Sequence, residues 1–404
     1  MNRNFMAAAS VLALSAMAAC GSASSNDSGS TSAGAPIKVA LIPPAGGPLT
    51  TFGADAVKGW ELAVKQVNAD GGVDGHKVEL VMKSTDADPA TTLSQAREAV
   101  TKDGATFISA VVTSTENGAL NAQLEGLGAL SFISISKDDG LIGEQCSPNA
   151  FHLVATNSMD MNGLAQSLAD IEGDKWAVQA ADFVTGHSAA DAFKAAAEAA
   201  GKEIVMEQFA ALGTTDFGSN ITKLKSSGAD ALFVAEYGAD GVAFVKQAEQ
   251  FKLDAQLKSV VGFNVVSEPL FPVIGDATVG WYSNVGYDVA GDNELNVGFV
   301  EAYEEEYGTK PYYVPADSYV AAQTLFAGIE KAGSVEPEKV AAALEDLTFD
   351  SILGEVTLRG ADHQLLRPSF TGQVSGSGAS LAFDILSRTD ADVTTPEPSS
   401  ECAF

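Results

Sequence analysis

Histidine, cysteine and basic side chains are scarce in this chain. The four histidines, His76, His152, His187 and His363, stand at no ligand spacing, which argues against a metal site. Only 23 lysines and arginines oppose 53 acids, for a formal net charge of -30, and no basic cluster occurs. Nucleic acid and anionic membrane surfaces are therefore poor partners. Catalytic signatures are missing as well. There is no Gly-x-Ser-x-Gly elbow and no glycine-lysine phosphate loop, and the first strand is followed by Pro43-Pro44-Ala45-Gly46-Gly47 rather than Gly-x-Gly-x-x-Gly. No carboxylates form a recognisable acid/base pair, so neither an enzyme nor a cofactor is expected. Past the N-terminal leader no apolar run is long enough to span a bilayer.

What is present suits a globular protein. The 404 residues allow about two domains, and a hydrophobic content of 46% is ample for their cores. Arg3 precedes a mostly apolar run, Phe5 to Ala19, that ends in small residues before Cys20, the layout of a secretory signal. The cysteine after Ala18-Ala19, followed by Gly21-Ser22-Ala23-Ser24-Ser25, resembles a bacterial lipobox, although Met17 replaces the usual leucine. That resemblance implies a signal peptide over 1–19, acylation of Cys20 and a flexible Ser/Gly tether over 20–35. With Cys20 acylated, Cys146 and Cys402 remain as an even pair. A disulfide between them would pin the C-terminal tail.

From Ile37 onward, strands and helices alternate. The first strand, Ile37–Ile42, runs through a Gly/Pro-rich loop into a helix with apolar residues at Val57, Trp60, Leu62, Ala63, Val64 and Val67, near the spacing of a buried helical face. Strands near Val78–Met82, Thr106–Val112 and Leu130–Ile135 follow, separated by helices over Pro89–Lys102 and Glu116–Leu127. A second set repeats the pattern, with strands near Trp176–Ala180, Glu203–Gln208, Ala231–Ala235 and Ser259–Val261 and helices at Asp160–Asp170, Ser188–Ala200, Phe217–Ser226 and Asp240–Phe251. After a strand near Trp281–Val285 come helices at Asn293–Tyr307, Asp317–Lys331 and Pro337–Leu347. Short links between alternating elements predict parallel sheets covered by helices on both faces, in two α/β lobes of similar size.

Several segments carry a family resemblance. They are Ile37–Ala40 through Gly53, the run Val67-Asn68-Ala69-Asp70-Gly71-Gly72-Val73-Asp74-Gly75, Thr113-Ser114-Thr115 after the third strand, and Ile133-Ser134-Ile135-Ser136 after the fourth. Together they resemble the type I periplasmic binding proteins of the leucine/isoleucine/valine-binding class, receptors of ABC importers. The resemblance covers Ala35 to about Val374. It implies two doubly wound parallel-sheet lobes joined by a three-strand hinge, with the ligand in the cleft between them. Lobe 1 would comprise 36–156 and 286–366, and lobe 2 would comprise 157–285 and 367–404. The late run Arg359-Gly360-Ala361-Asp362-His363-Gln364 looks like members assigned to aromatic or other non-amino-acid solutes.

The expected ligand-facing residues follow from strand-end loops and from this resemblance. Thr113-Ser114-Thr115 opens a helix where hydroxyls and free N–H groups can bind a carboxylate or simply cap. Thr113 is favoured as a contact, and Ser114 and Thr115 are open between the two roles. Ser136 and Lys137 match a second ligand-contacting stretch. Phe52, on a Gly/Pro-rich loop with little core to enter, is expected to wall the ligand. On the opposite side stand Phe183 and Thr185, where the family commonly has a tyrosine, then Tyr237 and Asn264. Amino-acid-binding members place a glutamate at the position of Asn264, to pair with the ligand ammonium. An amide leaves that ammonium uncompensated, unless Asp182, Glu236 or Asp317 substitutes. Tyr282, Tyr287 and Tyr313 are further wall candidates.

These residues point to a lipid-anchored monomer on the extracytoplasmic face of a bacterial membrane that hands a small organic solute to an ABC importer permease. An aromatic or other carboxylate-bearing acid is favoured as the ligand, with branched-chain amino acids or small amides as alternatives. The rival from another class is the ligand-presenting subunit of an extracellular sensor.

Overall fold

A computed structural model describes residues 34–402 and Phe404. Cys20 and the leader lie outside the described residues.

The first lobe is built on β1 (Ile37–Leu41), α1 (Thr50–Ala69), β2 (Val78–Met82), α2 (Pro89–Glu98), β3 (Phe107–Ser109), α3 (Ser114–Leu127), β4 (Leu130–Ile133) and β5 (Ala150–His152). Its sheet is parallel throughout, in the order β2-β1-β3-β4-β5. Strands β3, β4 and β5 are buried along their whole length and β1 at all but Lys38, as parallel strands under helices must be, while the edge strand β2 leaves Glu79 and Met82 exposed. Trp60 of α1 is fully buried and donates its indole N–H to Ser109 Oγ of β3 at 3.0 Å, which fixes the helix over the sheet.

The second lobe follows with α4 (Asn157–Leu168), β6 (Lys175–Asp182), α5 (Val184–Ala199), β7 (Glu203–Ala211), α6 (Gly218–Ser226), β8 (Ala231–Ala235), α7 (Gly238–Gln250), β9 (Ser259–Gly262), α8 (Phe271–Ile274) and β10 (Tyr282–Val285). The chain then returns to the first lobe with α9 (Glu294–Tyr307), α10 (Tyr313–Ala332), α11 (Pro337–Leu344) and a small antiparallel sheet of β11 (Thr348–Ser351), β12 (Gly354–Leu358) and β13 (Leu365–Leu366). Tyr312 donates to Asp55 Oδ2 at 3.0 Å and Tyr307 to the Lys58 carbonyl at 3.2 Å, tying this return to α1. Finally β14 (Ser369–Ser375) and β15 (Ala382–Thr389) add antiparallel strands to the second sheet, whose order is β15-β14-β10-β9-β8-β6-β7, before the short α12 (Ala391–Thr394).

Three segments cross between the lobes, 153–156, 286–293 and 367–368. Arg367, only 2% exposed, sits on the last of them and binds the other two. Its Nη1 donates to the Leu153 carbonyl at 3.2 Å, its Nη2 to the Gly286 carbonyl at 2.6 Å, and the guanidinium pairs with Asp317 of α10. One buried cation thus holds all three crossovers together.

The structure departs from the sequence expectation in three places. Helix α10 starts at Tyr313, a turn before Asp317, because Pro315 lies in its first turn, where the missing N–H leaves no bond unmade. Strands β11–β15 lie outside the sequence expectation because they pair antiparallel outside the βα alternation, β11–β13 being short besides. The tail does not stay on the second lobe. Cys146 and Cys402 are joined in a disulfide, Cα–Cα 5.6 Å, which brings the C-terminus onto the first lobe.

Candidate functional site

Doubly wound sheets bind ligands where the strand order reverses, outside the strand C-termini. In the first lobe that point lies between β1 and β3, and in the second between β6 and β8. The loops after these strands, with the loops after β4 and β9, meet around a small cavity of about 30 Å³, so the lobes are closed on one another and must part to admit a solute, whose sites ordinarily take roughly 300–1,000 Å³. From the first lobe Phe52, Ser136 and Lys137 line it, and from the second Phe183, Thr185, Tyr237 and Asn264. Leu49, Val112, Ile135 and Tyr313 complete the wall. Of the three tyrosine candidates, Tyr313 is the one that faces this space.

The wall is largely apolar and aromatic. Phe183 and Tyr237 pack edge to face, with centroids 5.3 Å apart. Gly238, next to Tyr237, takes φ +55°, and a Cβ there would stand 2.3 Å from the Pro48 carbonyl. Only glycine allows the two lobes to approach this closely at the cavity edge.

Polar groups are few, and most are already committed. Lys137, after β4, reaches across to Asp160 Oδ2 in the first turn of α4 at 2.6 Å, and to Asn264 Oδ1 at 3.3 Å. Its ammonium lies 4.8 Å from the centre of the Tyr313 ring. Asp160 also accepts from Asn284 Nδ2 at 3.0 Å. Because lysine only donates, the Asn264 atom facing it is the oxygen, which also accepts from Asn284. The Asn264 Nδ2 group is thereby left over. It is buried and, like the Tyr237 hydroxyl, makes no hydrogen bond of good geometry among the described residues, although the two groups face one another. Burial pushes the Tyr237 phenol up, so it remains a donor. The cavity wall thus presents two unspent donors beside a lysine.

Helix starts reinforce this polarity. Phe183 and Tyr237 are the N-cap residues of α5 and α7, and neither helix has a side-chain cap. Uncapped first-turn N–H groups and the helix dipole favour an anion. The start of α3 differs. Thr113 forms a capping box with Glu116, its hydroxyl donating to Glu116 Oε2 at 2.6 Å. Glu116, fully buried, also accepts from Thr85 at 2.9 Å and Thr92 at 2.6 Å. Thr113 therefore caps and does not line the cavity, and Thr115 is exposed on the helix surface. Ser114 and Thr185 hydrogen-bond to one another at 2.9 Å, from opposite lobes. Ser136 spends its hydroxyl on Val112 O and Asn117 Nδ2, at 3.0 and 2.6 Å.

None of the acids that could replace a glutamate at Asn264 lines the cavity. Asp182 is exposed and paired with His187 at 2.8 Å, Asp317 is held by Arg367, and Glu236 is buried against Gln179 Nε2 at 2.6 Å. Burial, with a small push from Asp240 and against the Gln179 hydrogen bond, raises the Glu236 carboxyl to about 8. Its folded value thus lies above its unfolded one. The stability it contributes is complete below the unfolded value and is lost as pH rises toward 8, at up to about 1.4 kcal/mol per pH unit. Denaturation midpoints of wild type and Glu236→Gln between pH 5 and 9 should show this slope in wild type and its flattening in the variant.

Two α/β lobes meeting at a cavity, with the chain crossing between them three times, define a hinged solute-binding clamp. The chain belongs to the periplasmic binding protein family, whose profile matches residues 36–379, and it is a solute-binding protein rather than an enzyme. Among its relatives is the leucine-, isoleucine-, valine-, threonine- and alanine-binding protein of Pseudomonas aeruginosa, 27% identical over 79% of this chain and 85% of that protein. Among solved structures, the solute-binding protein of an ABC transporter from Rhodopseudomonas palustris BisB5, in complex with 3,4-dihydroxybenzoic acid, superposes with a TM-score of 0.82 at 23% identity, covering 88% of this chain and 98% of that one. A second, from Rhodopseudomonas palustris HaA2 in complex with p-hydroxybenzoic acid, has a TM-score of 0.81 at 25% identity, covering 88% and 97%. The family implies an extracytoplasmic location, and no helix among the described residues is long and apolar enough to cross a membrane.

Proposed function

We propose that this protein captures a small aromatic or otherwise apolar carboxylic acid between its lobes and delivers it to an ABC importer, as a monomer anchored through acylated Cys20. The observation that carries the ligand assignment is the cavity's donor surplus. Tyr237 Oη and Asn264 Nδ2 are buried without hydrogen bonds of good geometry, Lys137 stands beside them, and no uncommitted carboxylate lines the wall. A carboxylate satisfies these donors, whereas an α-ammonium finds no acceptor charge and is costly to bury. Aromatic walls at Phe52, Phe183, Tyr237 and Tyr313 suit a flat ring. The benzoic acids bound by the two Rhodopseudomonas proteins support the same class.

The proposed lobes are 36–156 with 286–366, and 157–285 with 367–395, the tail from Pro396 lying against the first lobe. What supports these bounds is that they fall on the three crossover segments. A branched-chain amino acid is the second reading, favoured by the names of the sequence relatives. A thermal-shift screen of aromatic acids, amides and amino acids separates the readings, since only a bound ligand raises the midpoint with its concentration. Tyr237→Phe should weaken aromatic acid binding by about 1.5–3 kcal/mol, the worth of one hydrogen bond to a charged group, or roughly 10- to 150-fold in Kd. Calorimetry reads this loss, and an unchanged Kd would remove Tyr237 from the carboxylate site.

A further inference from the structure

The C-terminal tail is a fourth link between the lobes, different in kind from the three crossovers. It leaves the second lobe at β15, and α12 packs on α4, where Asn162 Nδ2 donates to the Thr394 carbonyl at 2.7 Å. Two residues later it is on the first lobe, where the Pro396 carbonyl accepts from Arg359 Nη1 at 2.8 Å. Asp362 holds that arginine from two sides, at 2.9 and 2.6 Å. The Phe404 ring lies 4.7 Å from His363, which itself stacks on Phe151 of β5 at 4.5 Å. Cys402 is covalently joined to Cys146, in the loop between β4 and β5.

We propose that residues 390–402 act as a covalent strap that limits how far the two lobes part. The spacing of the anchors makes the argument. Between the last contact with the second lobe, Thr394, and the first contact with the first lobe, Pro396, there is almost no slack. Opening the lobes must therefore lift the tail from Arg359 and His363. The disulfide ends that extension, because the eight residue steps from Thr394 to Cys402 span at most roughly 26–29 Å. It also keeps the lifted tail close to its seat, at the high effective concentration of an intramolecular partner, so that it settles back. Such a bond persists in an oxidising compartment, the location the family implies. A narrower range of opening leaves more of the unliganded protein competent to bind, and the apparent Kd falls in proportion.

The test compares the oxidised full-length protein, the same folded protein after mild reduction, the C146S/C402S double variant, and R359Q with the disulfide intact. Small-angle scattering without ligand reads lobe opening, and amide exchange reads the tail. Circular dichroism establishes that each sample is folded. Loss of the tether should raise the radius of gyration and speed exchange at the Thr395 and Cys402 amides by roughly 100-fold or more, the scale on which tethering acts. R359Q should fall between wild type and the double variant. Because neither readout uses a ligand, failure here leaves the carboxylate assignment untouched. If the reduced protein and R359Q both keep the wild-type scattering profile and tail protection, the strap has no hold on the lobes and the proposal is overturned. The reduced sample decides the matter should the double variant fail to fold.

Discussion

Lys137→Met should destabilise the protein by about 3–5 kcal/mol, because it strands the carboxylate of Asp160 in a buried site without its cation. Lys137 is 3% exposed and Asp160 1%, so water cannot compensate for the loss. The bond also joins the two lobes, since Lys137 follows β4 and Asp160 opens α4. Urea denaturation measures the loss as a shift of midpoint. The double change Lys137→Met with Asp160→Leu separates structure from recognition, because replacing a whole buried pair by apolar groups is often neutral or stabilising. Stability should largely return in the double variant, while affinity for an aromatic acid should stay low. Restored affinity would mean that Lys137 serves the fold alone.

Arg367→Met carries the other large effect, again about 3–5 kcal/mol. It leaves Asp317, fully buried in α10, without its partner, and it removes the donor from the Leu153 and Gly286 carbonyls at two crossovers. The consequence should extend beyond the denaturation midpoint. With the three crossovers no longer bound to one group, amide exchange should quicken at residues 153–156, 286–293 and 367–368 together. Exchange confined to the neighbourhood of Asp317 would show that the crossovers do not depend on Arg367.

Much of the scaffold could be read before any coordinates because the βα alternation is local. The apolar runs of β1, β4, β6 and β8 and the helical spacing of α1 each lie within one stretch of chain, and the loops after parallel strands lead to the cleft by topology alone. That is why Phe52, Ser136, Lys137, Phe183, Thr185, Tyr237 and Asn264 could be selected, and all seven line the cavity. What was not legible depends on distant partners. Whether Thr113 faces a ligand or caps α3 turns on Glu116, whose carboxylate gathers Thr85 and Thr92 from elsewhere in the first lobe. The partners of Arg367 lie 50, 81 and 214 residues away, and nothing in its own neighbourhood announces a hinge role. Asp160 carries no sign of its role in its own stretch, since its partners Lys137 and Asn284 lie 23 and 124 residues away. Leu49 and Ile135 joined the wall through packing alone.

Titration calorimetry with 4-hydroxybenzoate, its primary amide and leucine, at one pH and ionic strength, tests the ligand class most directly. The donor-rich, acid-free wall predicts saturable binding of the acid, binding of the amide weaker by at least about tenfold, the equivalent of roughly 1.4 kcal/mol, and no heat from leucine. Saturable binding of leucine with none of the acid would contradict it.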